Sequence, residues 1–226
     1  MLGPVRGDPR AFRRSIPAWG REHRRSFPWR ETDDPFEILV AEVLLQRSRG
    51  TTVAKVHREL FRRWPDAGAL ARARVTSIES VIRPLGLAKR AATLHAMAAD
   101  VAAAGEVPCT QEGLLALPGV GRYAANATLA VAFGRPSPVV DGVTARVYRR
   151  YFGQTAAIPA SEDDALWALV TRVSPRTRSR EWNWAVLDLA ALVCLPKVPR
   201  CDECPLRRSC LFAAPLTQPG ERMRGS

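Results

Sequence analysis

LPGVGRYAANATLAVAFGRPSPVVDGVTARVYRR, residues 117–150, is the stretch on which the reading of this chain turns. A Pro-Gly-x-Gly turn, Pro118 to Gly121, separates a helical run ending near Leu117 from one beginning near Arg122. Gly119 and Gly121, on either side of Val120, permit backbone conformations and a closeness of approach that a side chain would block. Amides at the start of the second helix have no carbonyl partner within it and point outward, where they can hold an anion. Further on, Asp141 precedes another helical run, GVTARVYRR, in the position of an N-cap. A helix–helix turn with no ligand and an aspartate that only caps are the ordinary readings of these two features.

Lys and Arg number 34 against 22 Asp and Glu, a formal net charge of +12, which favours a polyanionic partner. The 46% hydrophobic content argues for a folded protein rather than a basic tail. No apolar run approaches the ~20 residues needed to span a bilayer. The N-terminal MLGPVRGDPRAFRRS lacks the apolar core of a secretion signal, so a cytoplasmic location is the expectation. In that setting four clustered cysteines, Cys194, Cys201, Cys204 and Cys210, read as metal ligands before disulfides. Their spacing is C-x6-C-x2-C-x5-C; four thiolates suit tetrahedral zinc, although zinc ribbons usually present two C-x2-C pairs. Cys109 stands apart and reads as an ordinary thiol.

Along the chain every periodic segment is helical, and the fold class expected is all-α. Ala11 to Arg25 reads as a short basic helix with Phe12, Ile16 and Trp19 on one side, followed by the connector FPWRETDDPF. Asp34 before Pro35 is a helix start, and Phe36, Leu39, Val40, Val43 and Leu44 follow at i, i+3, i+4, i+7 and i+8. Glu42 falls off that apolar stripe, where a solvated glutamate is the ordinary reading. Gln46, Arg47 and Ser48 end this helix. Thr51 or Thr52 is the expected cap of the next, which carries His57 on its core face and stops at Pro65. Short helices around 67–73 and 77–82 lead to a long one within LGLAKRAATLHAMAADVAAAG; Ser161 is expected to cap a later helix, and Trp182, Val186, Leu189 and Val193 mark the last before the cysteines.

From about Phe27 to Cys210 the chain resembles the helix–hairpin–helix DNA glycosylases of the endonuclease III and MutY group. The resemblance is carried by LPGVG, the Val140-Asp141 pair, AEVLLQR and the 6-2-5 cysteine spacing. Tyr123, FPWR, Phe133-Gly134 and Tyr151-Phe152-Gly153 agree best with the Mig-type thymine(uracil)–DNA mismatch branch. The resemblance implies a two-lobed all-α fold: a central helical domain, residues 35–137, and a second lobe joining 1–34 to 138–226 around a [4Fe-4S] cluster held by the four cysteines. It implies that Asp141 is catalytic, that Glu42 enters the base pocket, and that Tyr123 meets the flipped base. Gln46, Arg47 and Ser48 would supply a wedge into the duplex and Leu87 a second, apolar one. Lys89, Arg90 and the hairpin residues Gly119, Val120, Gly121 and Arg122 would meet phosphates.

The activity so implied is hydrolysis of the N-glycosidic bond of a base everted from double-stranded DNA, most simply T or U opposite G, by a monomer associated with the nucleoid. A tyrosine at position 123 cannot form the Schiff base that a lysine there would, so strand cleavage is not expected. Adenine removal in the MutY manner is the enzymatic alternative. Against it, little chain follows Cys210 to form the further domain that reads oxidised guanine in those enzymes. A non-catalytic iron–sulfur DNA-binding module is the alternative of another class, and retention of both Glu42 and Asp141 speaks against it.

Overall fold

The computed structural model describes residues 6–86, 88–156 and 158–213, and no strand occurs among them. The helices are α1 (Pro9–Glu22), α2 (Pro35–Leu45), α3 (Gly50–Arg63), α4 (Ala67–Ala71), α5 (Val75–Ile82), α6 (Arg90–Ala104), α7 (Gln111–Ala116), α8 (Arg122–Val131), α9 (Gly142–Phe152), α10 (Asp164–Val173) and α11 (Ser179–Leu192).

Two hydrophobic cores organise them. Trp29 and the apolar residues of α2 to α8 form the first, with Leu39, Leu44, Leu60, Leu94 and Leu114 fully enclosed. The second gathers Phe12, Ile16 and Trp19 of α1 with Tyr148, Leu166, Trp182 and Leu189 of α9, α10 and α11, and with Leu206 of the cysteine loop. Helix α1 thus packs against elements far along the chain. Its seam with α11 is close, because a Cβ on Gly20 would lie 2.4 Å from that of Ala185.

Helix α2 runs between the cores. Asp34 caps it by accepting from the Phe36 amide at 2.7 Å. Every residue from Phe36 to Leu44 except Glu37 is buried, so the helix is enclosed on all faces rather than along the single stripe that its spacing predicts. The second face comes from tertiary contact: Ile38 packs with Val131 of α8 and Trp184 of α11.

Several boundaries differ from the sequence reading. α1 begins at Pro9, behind the cap Asp8, and ends at Glu22. α3 begins at Gly50 with Arg49 in the cap position and no side-chain cap, so neither Thr51 nor Thr52 serves. α10 is capped by Asp163 rather than Ser161; its carboxylate accepts from the Leu166 amide at 2.9 Å and is held by Arg149 at 2.7 Å. A carboxylate is a charged acceptor for the helix start, and the arginine holds it in place. His57 is a packed core residue as read, its Nε2 lying 3.1 Å from the Glu37 carbonyl.

Candidate active site

Between the two cores lies a cleft of about 1000 Å³ lined by residues from both, including Glu42, Tyr123 and Asp141. α2 supplies Glu42, the first turn of α8 supplies Tyr123, and the cap of α9 supplies Asp141. Residues far apart in sequence therefore converge on one cavity.

Asp141 sits at the end of an extended strap and forms a capping box. Its Oδ1 accepts from the amides of Val143 (3.0 Å) and Thr144 (2.8 Å) and from the Thr144 hydroxyl (2.9 Å). The Asp141 amide in turn donates to Thr144 Oγ1 at 2.9 Å. Among the described residues none donates to Oδ2. One oxygen is thus spent on fixing the carboxylate at the start of a helix, and the other is left to the cleft.

Glu42 is 3% exposed, and its Oε2 is buried without a hydrogen-bond partner. Burial pushes its carboxyl up to about 7, and the charge of Asp141 adds to that push; the Tyr123 hydroxyl and the Arg30 guanidinium oppose it. Burial, then the charges of Glu42 and Asp141, hold the Tyr123 phenol well above its ordinary range, so it remains a neutral group. At neutral pH the cleft therefore presents, in Glu42, a carboxyl that carries its proton for much of the time.

Arg30, in the FPWR connector, is a cleft residue that sequence reading did not single out. Its two terminal nitrogens donate to Asp188 of α11 at 2.7 and 3.0 Å, and Arg25 Nε joins the same carboxylate at 2.6 Å. The guanidinium lies 5.2 Å from the Trp184 ring centre, and Phe27 stacks on Trp29 at 4.8 Å. These aromatic and cationic groups form the cleft wall. The FPWR run could have flagged them, as an arginine beside two aromatic rings.

The hairpin edge is built as the glycines foretold, with one correction. Gly119 has φ +78, and a Cβ there would meet Thr93 Cγ2 at 2.4 Å, so glycine is required. Gly121 and Arg122 are exposed at the open end of α8, but Val120 is not available to an anion: its side chain is buried in the first core and its amide donates to the Leu117 carbonyl. Gln46 donates from Nε2 to the Gly119 carbonyl at 3.2 Å, tying the end of α2 to the hairpin. Arg47 beside it is exposed at φ +63, a left-handed conformation, while Ser48 is half-buried. Arg90 donates to the Val43 carbonyl at 2.9 Å and lines the cleft; Lys89 is exposed at the start of α6. Leu87 lies outside the described residues. Arg122 pairs with Asp164 at 2.6 Å and stands 4.1 Å over the Trp167 ring, bridging the two sides of the cleft.

Away from the cleft, the four clustered cysteines are half-buried and together line one small hollow walled by Val147, Tyr151, Leu189, Val193 and Leu206. Burial pushes the Cys204 thiol up to about 11 and raises that of Cys210. Among the described residues no three His, Cys, Asp or Glu side chains are gathered as ligands of a single metal ion. α9, the helix that Asp141 caps, holds this loop: Arg146 donates to the Cys194 and Ala190 carbonyls at 2.8 Å each, and Arg150 to Cys194 Sγ at 3.4 Å.

Residues 40–171 match the model of the HhH-GPD superfamily base excision DNA repair proteins. The chain is 37% identical over 219 residues to a thymine-DNA glycosylase of Aeropyrum pernix, covering 94% of this chain and 98% of that one. It is 37% identical over 209 residues to a thymine/uracil-DNA glycosylase of Pyrobaculum aerophilum, covering 89% and 91%. A human adenine DNA glycosylase is 33% identical over 213 residues, which span 88% of this chain and 39% of that longer protein. The solved structure of a thermostable thymine-DNA glycosylase superposes with a TM-score of 0.85 at 32% identity, over 91% of this chain and 96% of that one.

Proposed function

Because this chain belongs to the HhH-GPD superfamily of base excision DNA repair proteins, we propose that its cleft hydrolyses the N-glycosidic bond of thymine or uracil everted from a mispair with guanine. The convergence of Glu42, Tyr123 and Asp141 on one cavity carries this reading. As the base leaves, positive charge develops on the deoxyribose, and the Asp141 carboxylate, fixed through Oδ1 and open at Oδ2, stabilises it there. Negative charge develops on the departing pyrimidine. The Glu42 carboxyl, protonated up to about pH 7, supplies a proton or a hydrogen bond to it. Tyr123 offers the base an aromatic face and a neutral hydroxyl. Having no amine, it forms no Schiff base, so the product is an abasic site in an uncut strand.

The duplex is gripped by its backbone. Exposed Arg47, Lys89 and the open amides at Gly121 and Arg122 are suited to phosphates, and the net charge of +12 makes binding salt-sensitive. Eversion brings the base into the cleft between the lobes.

The donor set of the cysteine loop fits a [4Fe-4S] cluster: four soft sulfurs line one hollow with carbon walls. Cys194, Cys201, Cys204 and Cys210 would hold it, and thiolate ligation would cross-link a loop that has little core of its own. Arg146 and Arg150 fix that loop to α9.

Duplexes carrying T·G, U·G, A·G and A·8-oxoguanine, incubated with the protein and then treated with or without alkali, test the reading. Alkali-dependent cleavage at T or U opposite G is expected. Release of adenine instead would move the chain to the adenine branch, and strand cleavage without alkali would overturn the monofunctional mechanism.

A further inference from the structure

Asp141 hangs from the connector that crosses from the first lobe to the second, so what holds this connector fixes the carboxylate. Residues 132–141 contain no helix; Pro136 and Pro138 flank Ser137 and deny the backbone any regular ladder. Ser137 is the one position between the two prolines with an amide to donate, and all three of its polar groups are engaged. Its hydroxyl donates to Asn126 Oδ1 of α8 at 2.5 Å. Its amide lies 3.4 Å from Ser179 Oγ of α11, and its carbonyl accepts from Asn183 Nδ2 at 3.2 Å. Both amide side chains are themselves oriented, Asn126 by donating to the Arg122 carbonyl at 2.7 Å and Asn183 by donating to the Ser179 carbonyl at 2.9 Å. Asn126, Ser137, Ser179 and Asn183 are each 7% exposed or less.

Four buried polar side chains would be an expensive way of filling space, since each must be desolvated and then satisfied. Their bonds converge on one residue of the strap rather than joining α8 to α11 directly. Beyond Ser137 the strap is held by Val139, packed with Ala127 and Ala130 of α8, and by Val140, packed in the second core. Apolar packing of that kind is not directional, whereas a residue bonded at its amide, carbonyl and hydroxyl cannot rotate about the chain axis.

We infer that Asn126, Ser137 and Asn183 are positioning residues for base release: they set the orientation of the strap, and through it the direction of Asp141 Oδ2 toward the sugar. This rests on the reading of Asp141 as the charge that faces the sugar. Displacement of a catalytic group by about 1 Å costs on the order of 10²-fold in rate, so loss of the network should act on the chemical step and spare duplex binding. Asn126→Leu removes both the acceptor for Ser137 and the donor to the Arg122 carbonyl.

The test is single-turnover release of uracil from a U·G duplex at saturating protein, with duplex affinity and Tm measured alongside. Each variant is assayed at a fixed interval below its own Tm. Asn126→Leu and Asn183→Leu should lose about thirtyfold or more in rate with affinity within about twofold of the parent. If the leucine variants do not fold, Ser137→Ala, which removes a single hydroxyl, should still lose about tenfold. Rates equal to the parent once the Tm difference is matched would overturn the inference, as would a loss confined to affinity. A parent protein that releases no base from any mispair would instead overturn the reading of the cleft.

Discussion

Two carboxyl groups line the same cleft, and their surroundings differ. Glu42, in the middle of α2, is buried, has an unpartnered oxygen, and is raised to about 7. Asp141, at the tip of α9, is half-exposed and receives three hydrogen bonds on one oxygen. Burial pushes the Glu42 acid up against the opposing Tyr123 hydroxyl and Arg30, whereas the amides of Val143 and Thr144 fix one oxygen of Asp141 in place. In the proposed reaction the enclosed wall donates the proton and the strap stabilises charge, a division that residue type alone does not suggest.

The assignment is broken most directly at Asp141. Asp141→Asn retains a capping side chain, so the fold and duplex affinity should persist while base release falls by about 10³-fold; turnover near the parent rate would remove the carboxylate from the mechanism. At Glu42 the expected loss is smaller, about 10²-fold for Glu42→Gln in single-turnover release at pH 6. That variant also has a stability signature. Because the folded carboxyl is raised above its ordinary 4.5, the parent loses stability as pH rises from about 4.5 to about 7 and no further beyond. Glu42→Gln should therefore gain on the parent across that window and hold its advantage at pH 8, on the order of 1–3 kcal/mol by denaturant unfolding; an unchanged difference between pH 4.5 and 8 would contradict the buried acid. Tyr123→Phe should act through Glu42: without the hydroxyl that lowers it, the glutamate titrates higher and the alkaline limb of activity moves up in pH, with a rate change of only a few-fold. The smallest effect is expected at the lip. Asp164→Asn frees Arg122 from its ion pair, and duplex affinity should rise about twofold, more at low salt than at high.

The all-helical fold was legible because periodic apolar spacing and the Asp34-Pro35 and Asp141 starts are local signals. Glu42 was legible as a site residue only through family resemblance. A helical stripe counts one face, whereas tertiary packing buries α2 all round from Ile38 to Leu44, Glu42 included. Arg30 escaped notice for a similar reason, since its partner Asp188 lies 158 residues later and only the fold unites them. At Val120 the sequence correctly marks a turn, yet which amides stay free depends on the Leu117 carbonyl folding back onto it. The start of α10 was misplaced because Asp163, held by Arg149, caps it in place of Ser161.

The pH dependence of single-turnover uracil release from a U·G duplex tests the two-carboxyl arrangement most directly. A plateau below neutrality, a decline of tenfold per pH unit above about 7, and the disappearance of that decline in Glu42→Gln are expected. A rate in the parent protein that stays level from pH 6 to 9 would contradict a protonated glutamate as the partner of Asp141.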